Sequence, residues 1–179
     1  MTKIKLCGLT RESDIAYANV LAPDYVGFIF AEKSRRYISP EKAKILRRKL
    51  NASIIPVGVF VNETPECIAD LADRNIIRII QLHGSEDESY IRHLRKLTDA
   101  KIIKAFRIQS KEDILAANAS TADYVLLDSG GGSGELFDHS LIRSIPRNYF
   151  LAGGLTPQNV RAAAEPVGTY VREMKRAIG

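Results

Sequence analysis

The chain has 179 residues, 45% hydrophobic and 26% charged, with 12 Gly, 7 Pro and no Trp, an ordinary globular composition that sets aside disordered and low-complexity classes and suits one domain over residues 1–179. The net charge is +5, but bases and acids interleave, as in Glu32-Lys33-Ser34-Arg35-Arg36; a solvated basic surface or a small anionic ligand fits this better than nucleic acid, for which a basic stripe or aromatic pattern is missing. No apolar run approaches the roughly 18 residues of a membrane span, the N-terminus lacks a signal peptide's apolar stretch and cleavage site, and Cys7 and Cys67 form neither a disulfide framework nor part of a zinc-spaced Cys/His cluster, so a cytoplasmic protein is expected.

In chain order, strand-like runs are expected at Ile4–Cys7, Tyr25–Phe30, Ile54–Val61, Ile76–Leu82, Lys101–Phe106, Tyr124–Asp128 and Tyr149–Ala152. They are rich in Val, Ile, Leu and aromatics, the pattern of strands buried on both faces. Helical stretches lie between them. Ser39-Pro40, Thr64-Pro65 and Thr156-Pro157 each put a capping hydroxyl before a proline at the first helical position. Ser110 with Asp113 and Ser85 with Glu88 have capping-box spacing. Ala43, Ile45, Leu46 and Leu50 are expected on one helix face. Cys67, in the helical run Glu66–Asp73, is expected to pack. The final stretch Val171–Gly179 reads as a terminal helix.

The resulting βαβα rhythm means parallel strands with right-handed crossovers. An open doubly wound sheet and a (β/α)8 barrel compete. The first usually carries a Gly-rich fingerprint after an early strand, yet here only Cys7-Gly8-Leu9-Thr10 follows strand one. The glycine turns come late, where a barrel builds its phosphate site. A (β/α)8 TIM barrel is therefore expected, although only seven strands are legible and Val167–Tyr170 is too short and glycine-broken to supply the eighth.

In a barrel the strand C-termini share one rim, and the active site lies there. Cys7, Arg36, Asn62, His83, Arg107, Asp128 and Gly153-Gly154 all fall at or just beyond such ends. Cys7 is either a small buried hydrophobe or a functional thiol. A cysteine ordinarily titrates near pH ~8.5, so a cation or helix N-terminus is needed to activate it. Asp128 ends a buried apolar strand, where an acid must be paired, solvated or functional. Serving as an acid at neutral pH requires its pKa to rise by about three, roughly 4 kcal/mol against the anion. The turn Gly130-Gly131-Gly132-Ser133-Gly134 and the turn Gly153-Gly154 are phosphate cradles or flexible loops; two after successive late strands favour phosphate. Arg36 is a bidentate clamp for a carboxylate or a solvated charge. His83 either bonds a ligand or is a satisfied rim histidine. His93 and His139 receive no catalytic role.

Taken together, Lys5-Leu6-Cys7-Gly8-Leu9-Thr10, Gly27-Phe28-Ile29-Phe30, Ser34-Arg35-Arg36-Tyr37, Val57-Gly58-Val59-Phe60-Val61-Asn62, Gln81-Leu82-His83-Gly84, Ile103-Lys104-Ala105-Phe106, Leu127-Asp128-Ser129, Gly132-Ser133-Gly134, Phe137-Asp138 and Leu151-Ala152-Gly153-Gly154-Leu155 resemble the phosphoribosylanthranilate isomerase family of tryptophan biosynthesis. The resemblance implies a (β/α)8 barrel and a cofactor-free Amadori rearrangement of N-(5'-phosphoribosyl)anthranilate. It implies Asp128 as general acid, Cys7 as general base, Arg36 on the anthranilate carboxylate, and Gly132, Ser133, Gly134, Gly153 and Gly154 on the phosphate. His83 is grouped with the substrate-binding residues. The partner implied is this phosphosugar alone, with no nucleic acid and no membrane.

The chain departs from the family pattern in three places. Gly132-Ser133-Gly134 stands where Gly-Thr-Gly is usual, and His139 follows Phe137-Asp138 where Trp is common. After Tyr170 the expected eighth strand and its loop, of the type Val-Asp-Val-Ser-Ser-Gly-Val-Glu, are missing. That absence raises an alternative, an inactive or weakly active barrel serving as a folding or association scaffold, with raw edges on strands one and seven. A histidine-pathway Amadori substrate is a conceivable second substrate that no residue demands.

Overall fold

Strands apolar at nearly every position need cover on both faces, and a parallel sheet wrapped on itself and ringed by helices provides it. The computed structural model describes residues 3–128 and 145–153 and, for 171–175, the backbone. Its elements run β1 (Lys3–Cys7), α1 (Glu12–Leu21), β2 (Tyr25–Ile29), α2 (Pro40–Lys49), β3 (Ile55–Phe60), α3 (Pro65–Asp73), β4 (Ile79–Leu82), α4 (Glu88–Leu94), β5 (Lys101–Arg107), α5 (Lys111–Ala119), β6 (Tyr124–Asp128), β7 (Tyr149–Ala152) and β8 (Val171–Lys175). The strands form a closed barrel in chain order, every pairing parallel. The expected (β/α)8 class holds.

Closure differs from the expectation. Val171–Lys175, read above as the start of a helix, is a strand. It pairs with β1 from Lys3↔Val171 to Cys7↔Lys175 and with β7 through Phe150↔Val171 and Leu151↔Arg172. The family's usual eighth-strand sequence is still absent, but another segment takes its place, because two unpaired ladders are costlier than a strand of modest propensity. Strands one and seven are thus paired, and the raw edges that motivated the scaffold reading are covered.

Alternate residues of β2 to β7 serve two cores. Tyr25, Val57, Ile79, Ile103, Leu126, Phe150 and Ala152 cluster within the barrel, while their neighbours Val26, Phe28, Ile80, Leu82 and Ile102 pack with helix residues Leu46, Ile68 and Ile91. Each such side chain contributes about 1.5–3 kcal/mol on full burial. Phe150 touches Tyr25 at 5.6 Å and Tyr124 at 5.8 Å between ring centroids. This aromatic plug draws on the early residues of β2, β6 and β7.

Helix starts follow local chemistry. Ser39 Oγ accepts from Lys42 N at 3.3 Å, and Ser110 and Asp113 form the expected capping box. Thr64 holds the N-cap position of α3 without a side-chain cap bond. Asp87, not Ser85, caps α4, accepting from Tyr90 N at 2.8 Å; its carboxylate is the stronger acceptor. The expected strand at Ile76 begins only at Ile79, since Ile76 and Ile77 bond back to Leu71 O and pack outside the barrel. Ile45 is exposed although Ala43, Leu46 and Leu50 are buried, so the apolar stripe of α2 is narrower than expected. Cys67 is exposed on α3 rather than packed. Among the described residues no helix is long and apolar enough to cross a membrane.

Candidate functional site

The rim begins at Cys7, the last residue of β1 and only 2% exposed. Its neighbours are Ile29, Val59 and Ala31. The space for its thiol comes from β2: Gly27 stands in register with Cys7, and a Cβ on Gly27 would fall 2.5 Å from Cys7 Sγ. No other residue type leaves that room.

Just past Cys7 the chain turns at Gly8, whose φ is +91°. Gly8 N and Leu9 N both donate to Gly27 O, at 2.9 and 3.2 Å. Arg36 lies against this turn. A Cβ on Gly8 would meet both Cδ and Nη1 of Arg36 at 2.7 Å. Arg36 Nη1 donates to the Cys7 carbonyl oxygen at 3.1 Å. The Arg36 loop is itself folded back: its N–H donates to Ser34 Oγ at 3.1 Å, and Ile38 N donates to Ile29 O at 2.9 Å. A cation is therefore fixed beside the end of β1, with its remaining donors available to an anion.

Asp128 ends β6. Its side chain is 13% exposed, and Oδ2 lies 3.4 Å from Nε2 of His83, which is 33% exposed. His83 follows β4 and is tied to the sheet by its N–H, which donates to Phe60 O at 2.8 Å. Its other ring nitrogen, Nδ1, is 3.1 Å from Gln81 Nε2. Gln81 Oε1 accepts from Lys5 Nζ at 2.7 Å. Lys5 and Gln81 are both fully buried.

Below His83 a second polar cluster holds the loop. Glu86 Oε1 accepts from Asn62 N at 2.7 Å, and Oε2 accepts from Gly84 N at 2.8 Å and from Lys104 Nζ at 2.9 Å. Lys104 also donates to Gly84 O at 2.7 Å. Burial alone would raise the Glu86 pKa; the bonds from Lys104 and Asn62 N outweigh it and hold the carboxyl below its ordinary range. A left-handed Asn62, φ +53°, accepts from Ser85 N at 2.8 Å through Oδ1. The β3 and β4 ends thus form one rigid piece of rim.

The structure brings Cys7, Arg36, His83 and Asp128 to the same end of the barrel. Gly153 is there too, with φ +95° just after β7, a conformation that favours glycine. Gly132, Ser133, Gly134 and Gly154 lie outside the described residues. Sequence reasoning passed over Lys5, Gln81, Glu86 and Lys104. The available signal was phase: Lys5 precedes Cys7, and Gln81 precedes His83, by the two residues that return a strand to one face.

A groove of about 500 Å³ on the barrel's flank, between the loop after β2 and α3, is lined by Glu32, Glu41, Glu63, Glu66 and Asp70 against one Arg74. Its carboxylates would repel a phosphate or carboxylate ligand. An anionic ligand is better matched by the rim, where Arg36 and the glycine turn gather.

The family model described as N-(5'phosphoribosyl)anthranilate (PRA) isomerase matches residues 4–173. An N-(5'-phosphoribosyl)anthranilate isomerase of Lachnoclostridium phytofermentans is 42% identical over 198 residues, covering 99% of this chain and 90% of that protein. The crystal structure of phosphoribosyl anthranilate isomerase from Thermotoga maritima superposes with a TM-score of 0.87 at 38% identity, over 98% of this chain and 88% of that one. A phosphoribosyl anthranilate isomerase structure in complex with reduced 1-(o-carboxyphenylamino)-1-deoxyribulose 5-phosphate superposes with a TM-score of 0.84 at 37% identity, over 98% and 87% of the two chains.

Proposed function

The chain belongs to the N-(5'-phosphoribosyl)anthranilate isomerase family, and from that premise we propose how its own residues carry the reaction. Its function is the family's, an isomerisation in tryptophan biosynthesis. The substrate is the phosphosugar N-(5'-phosphoribosyl)anthranilate, and the reaction an Amadori rearrangement of an aldosamine to a ketosamine.

The Asp128 carboxyl gives its proton to the ribose ring oxygen. The C1'–O bond breaks, and the anilino nitrogen lone pair forms an iminium at C1'. The Cys7 thiolate then takes the C2' proton, and the electron pair moves to give the enolamine, which tautomerises to the product ketone. One proton given and one taken leave substrate and product isomeric, so no redox partner enters. An acid and a base on separate strands suit this division of labour. Arg36 holds the anthranilate carboxylate by its fork. The turns at Gly132, Ser133 and Gly134 and at Gly153 and Gly154 hold the phosphate. Such a substrate belongs to the cytoplasm, which also suits the two cysteines outside any disulfide framework.

The observation that carries the reading is the pairing at the rim: Cys7 with Arg36 against it, Asp128 with His83 against it, both at strand C-termini of one closed barrel. The test is turnover of phosphoribosylanthranilate by the purified chain, with Cys7→Ser and Asp128→Asn beside it. Each variant should lose about 10²–10⁴-fold in kcat. Both variants retaining full turnover would refute these roles.

A further inference from the structure

Four side chains link the floor of the barrel to Asp128, and their donors can be ordered. A lysine ammonium has donors only. The atom of Gln81 facing Lys5 Nζ at 2.7 Å is therefore the amide oxygen. That orientation is set within a fully buried pair, where an unmet polar group costs about 1–3 kcal/mol. The amide NH₂ of Gln81 then faces His83 Nδ1 at 3.1 Å. An NH₂ group only donates, so Nδ1 must accept, and the imidazole proton resides on Nε2. Nε2 is the atom 3.4 Å from Asp128 Oδ2. The contact is longer than an ordinary N–H···O bond, and catalytic contacts of this kind commonly tighten on substrate binding.

We propose that Lys5 and Gln81 are positioning residues for the isomerisation: through a one-way chain of donors, Lys5 to Gln81 to His83 to Asp128, they fix His83 as the neutral Nε2–H tautomer aimed at Asp128. The inference rests on the reading of Asp128 as the general acid. His83 Nε2–H faces Oδ2 across 3.4 Å while the carboxyl gives its proton to the ribose oxygen. As Asp128 becomes a carboxylate, a fixed N–H already points at the charge that develops, and no reorientation is needed. A proton on Nδ1 would instead face the donors of Gln81, with nothing to accept it.

The experiment is ¹⁵N NMR of the imidazole nitrogens, with the His83 signals assigned by their loss in His83→Gln, combined with steady-state kinetics on phosphoribosylanthranilate. In the unaltered protein Nε2 should be the protonated nitrogen and Nδ1 the bare one. Gln81→Glu preserves shape and pairs with Lys5, but presents an acceptor to Nδ1. It should move the proton to Nδ1 and lower kcat about 10- to 100-fold, with KM within about twofold. Lys5→Met should leave both tautomers populated, with a smaller fall in kcat. Protonation at Nδ1 in the unaltered protein overturns the proposal, and that measurement needs no variant to fold. A Gln81→Glu protein with unmoved tautomer, or with moved tautomer and unchanged kcat, overturns it as well. Failure of the reading of Asp128 as general acid looks different: Asp128→Asn then keeps full turnover while the tautomer stays as found.

Discussion

Arg36 donates from Nη1 to the carbonyl oxygen of Cys7 at 3.1 Å, across a glycine that leaves it no more space than it needs. The proposed carboxylate clamp and the proposed base are thus held by one contact. Gly8→Ala would force a left-handed backbone on a residue with a Cβ and push that Cβ to 2.7 Å from the Arg36 side chain. About 1–3 kcal/mol of stability should be lost, seen as a lower denaturation midpoint. KM should also rise, because the clamp is displaced. Arg36→Lys keeps the charge but not the fork; KM should rise about tenfold or more, equivalent to about 1.4 kcal/mol, with kcat nearly unchanged.

Gly27→Ala addresses the thiol alone. Its Cβ would lie 2.5 Å from Cys7 Sγ, so the thiol must move or the strands must part. Overpacking of this kind costs about 1–3 kcal/mol. If Cys7 is the base, kcat should fall at least about tenfold while Arg36 still binds, leaving KM within a few-fold. Steady-state kinetics beside a urea melt separates the two effects. Unchanged kcat in a destabilised protein would deny Cys7 its role.

Lys104→Met strands Glu86, whose carboxylate is buried beside Gly84. Breaking one half of a buried ion pair costs about 3–5 kcal/mol. The loop carrying His83 should loosen with it, so amide exchange at Gly84 and Ser85 should quicken. Replacing both partners, Lys104→Met with Glu86→Leu, should recover part of the loss, since no buried charge is then left alone.

Acid should weaken the fold at several carboxylates, of which Asp123 and Glu86 are the more buried. Asp123 is held below its ordinary 3.8 because bonds from Ile102 N, Lys101 and Arg95 outweigh the effect of its burial; Glu86 is likewise held below 4.5. A carboxyl depressed on folding adds stability above its unfolded pKa and loses it as pH falls through the folded one. Both contributions should be complete at neutral pH and decline below about pH 4.5. Asp123→Asn should flatten the acid limb of a stability–pH curve, and an unaltered limb would exclude this carboxylate as a contributor.

The barrel is legible in the sequence because most of β2 to β7 is apolar on both faces and the clustered glycine turns sit late. Cys7 and Asp128 are legible because a polar residue closing an apolar run is conspicuous. Lys5 is not, since a lysine near an N-terminus looks solvated until the strand's phase is set by neighbours far along the chain. Gln81 is hidden for the same reason: only Lys5 and His83 together give its amide a direction. Val171–Lys175 is misread because its local pattern suits a helix, while the demand for a strand comes from the ladders of β1 and β7, which no local window contains.

The β1–β8 seam joins Lys3 to Val171 and Cys7 to Lys175, positions almost the full chain apart. It is the pairing with the greatest loop to close, and such contacts form late. Until it zips, β1 has one bare ladder and Cys7 sits on the margin of an open sheet. Completion of the active rim is therefore expected to be the final kinetic event of folding. In a stopped-flow refolding experiment, secondary structure should recover ahead of turnover, and the interval between them is the lifetime of an enzyme that is folded nearly everywhere except across its own join.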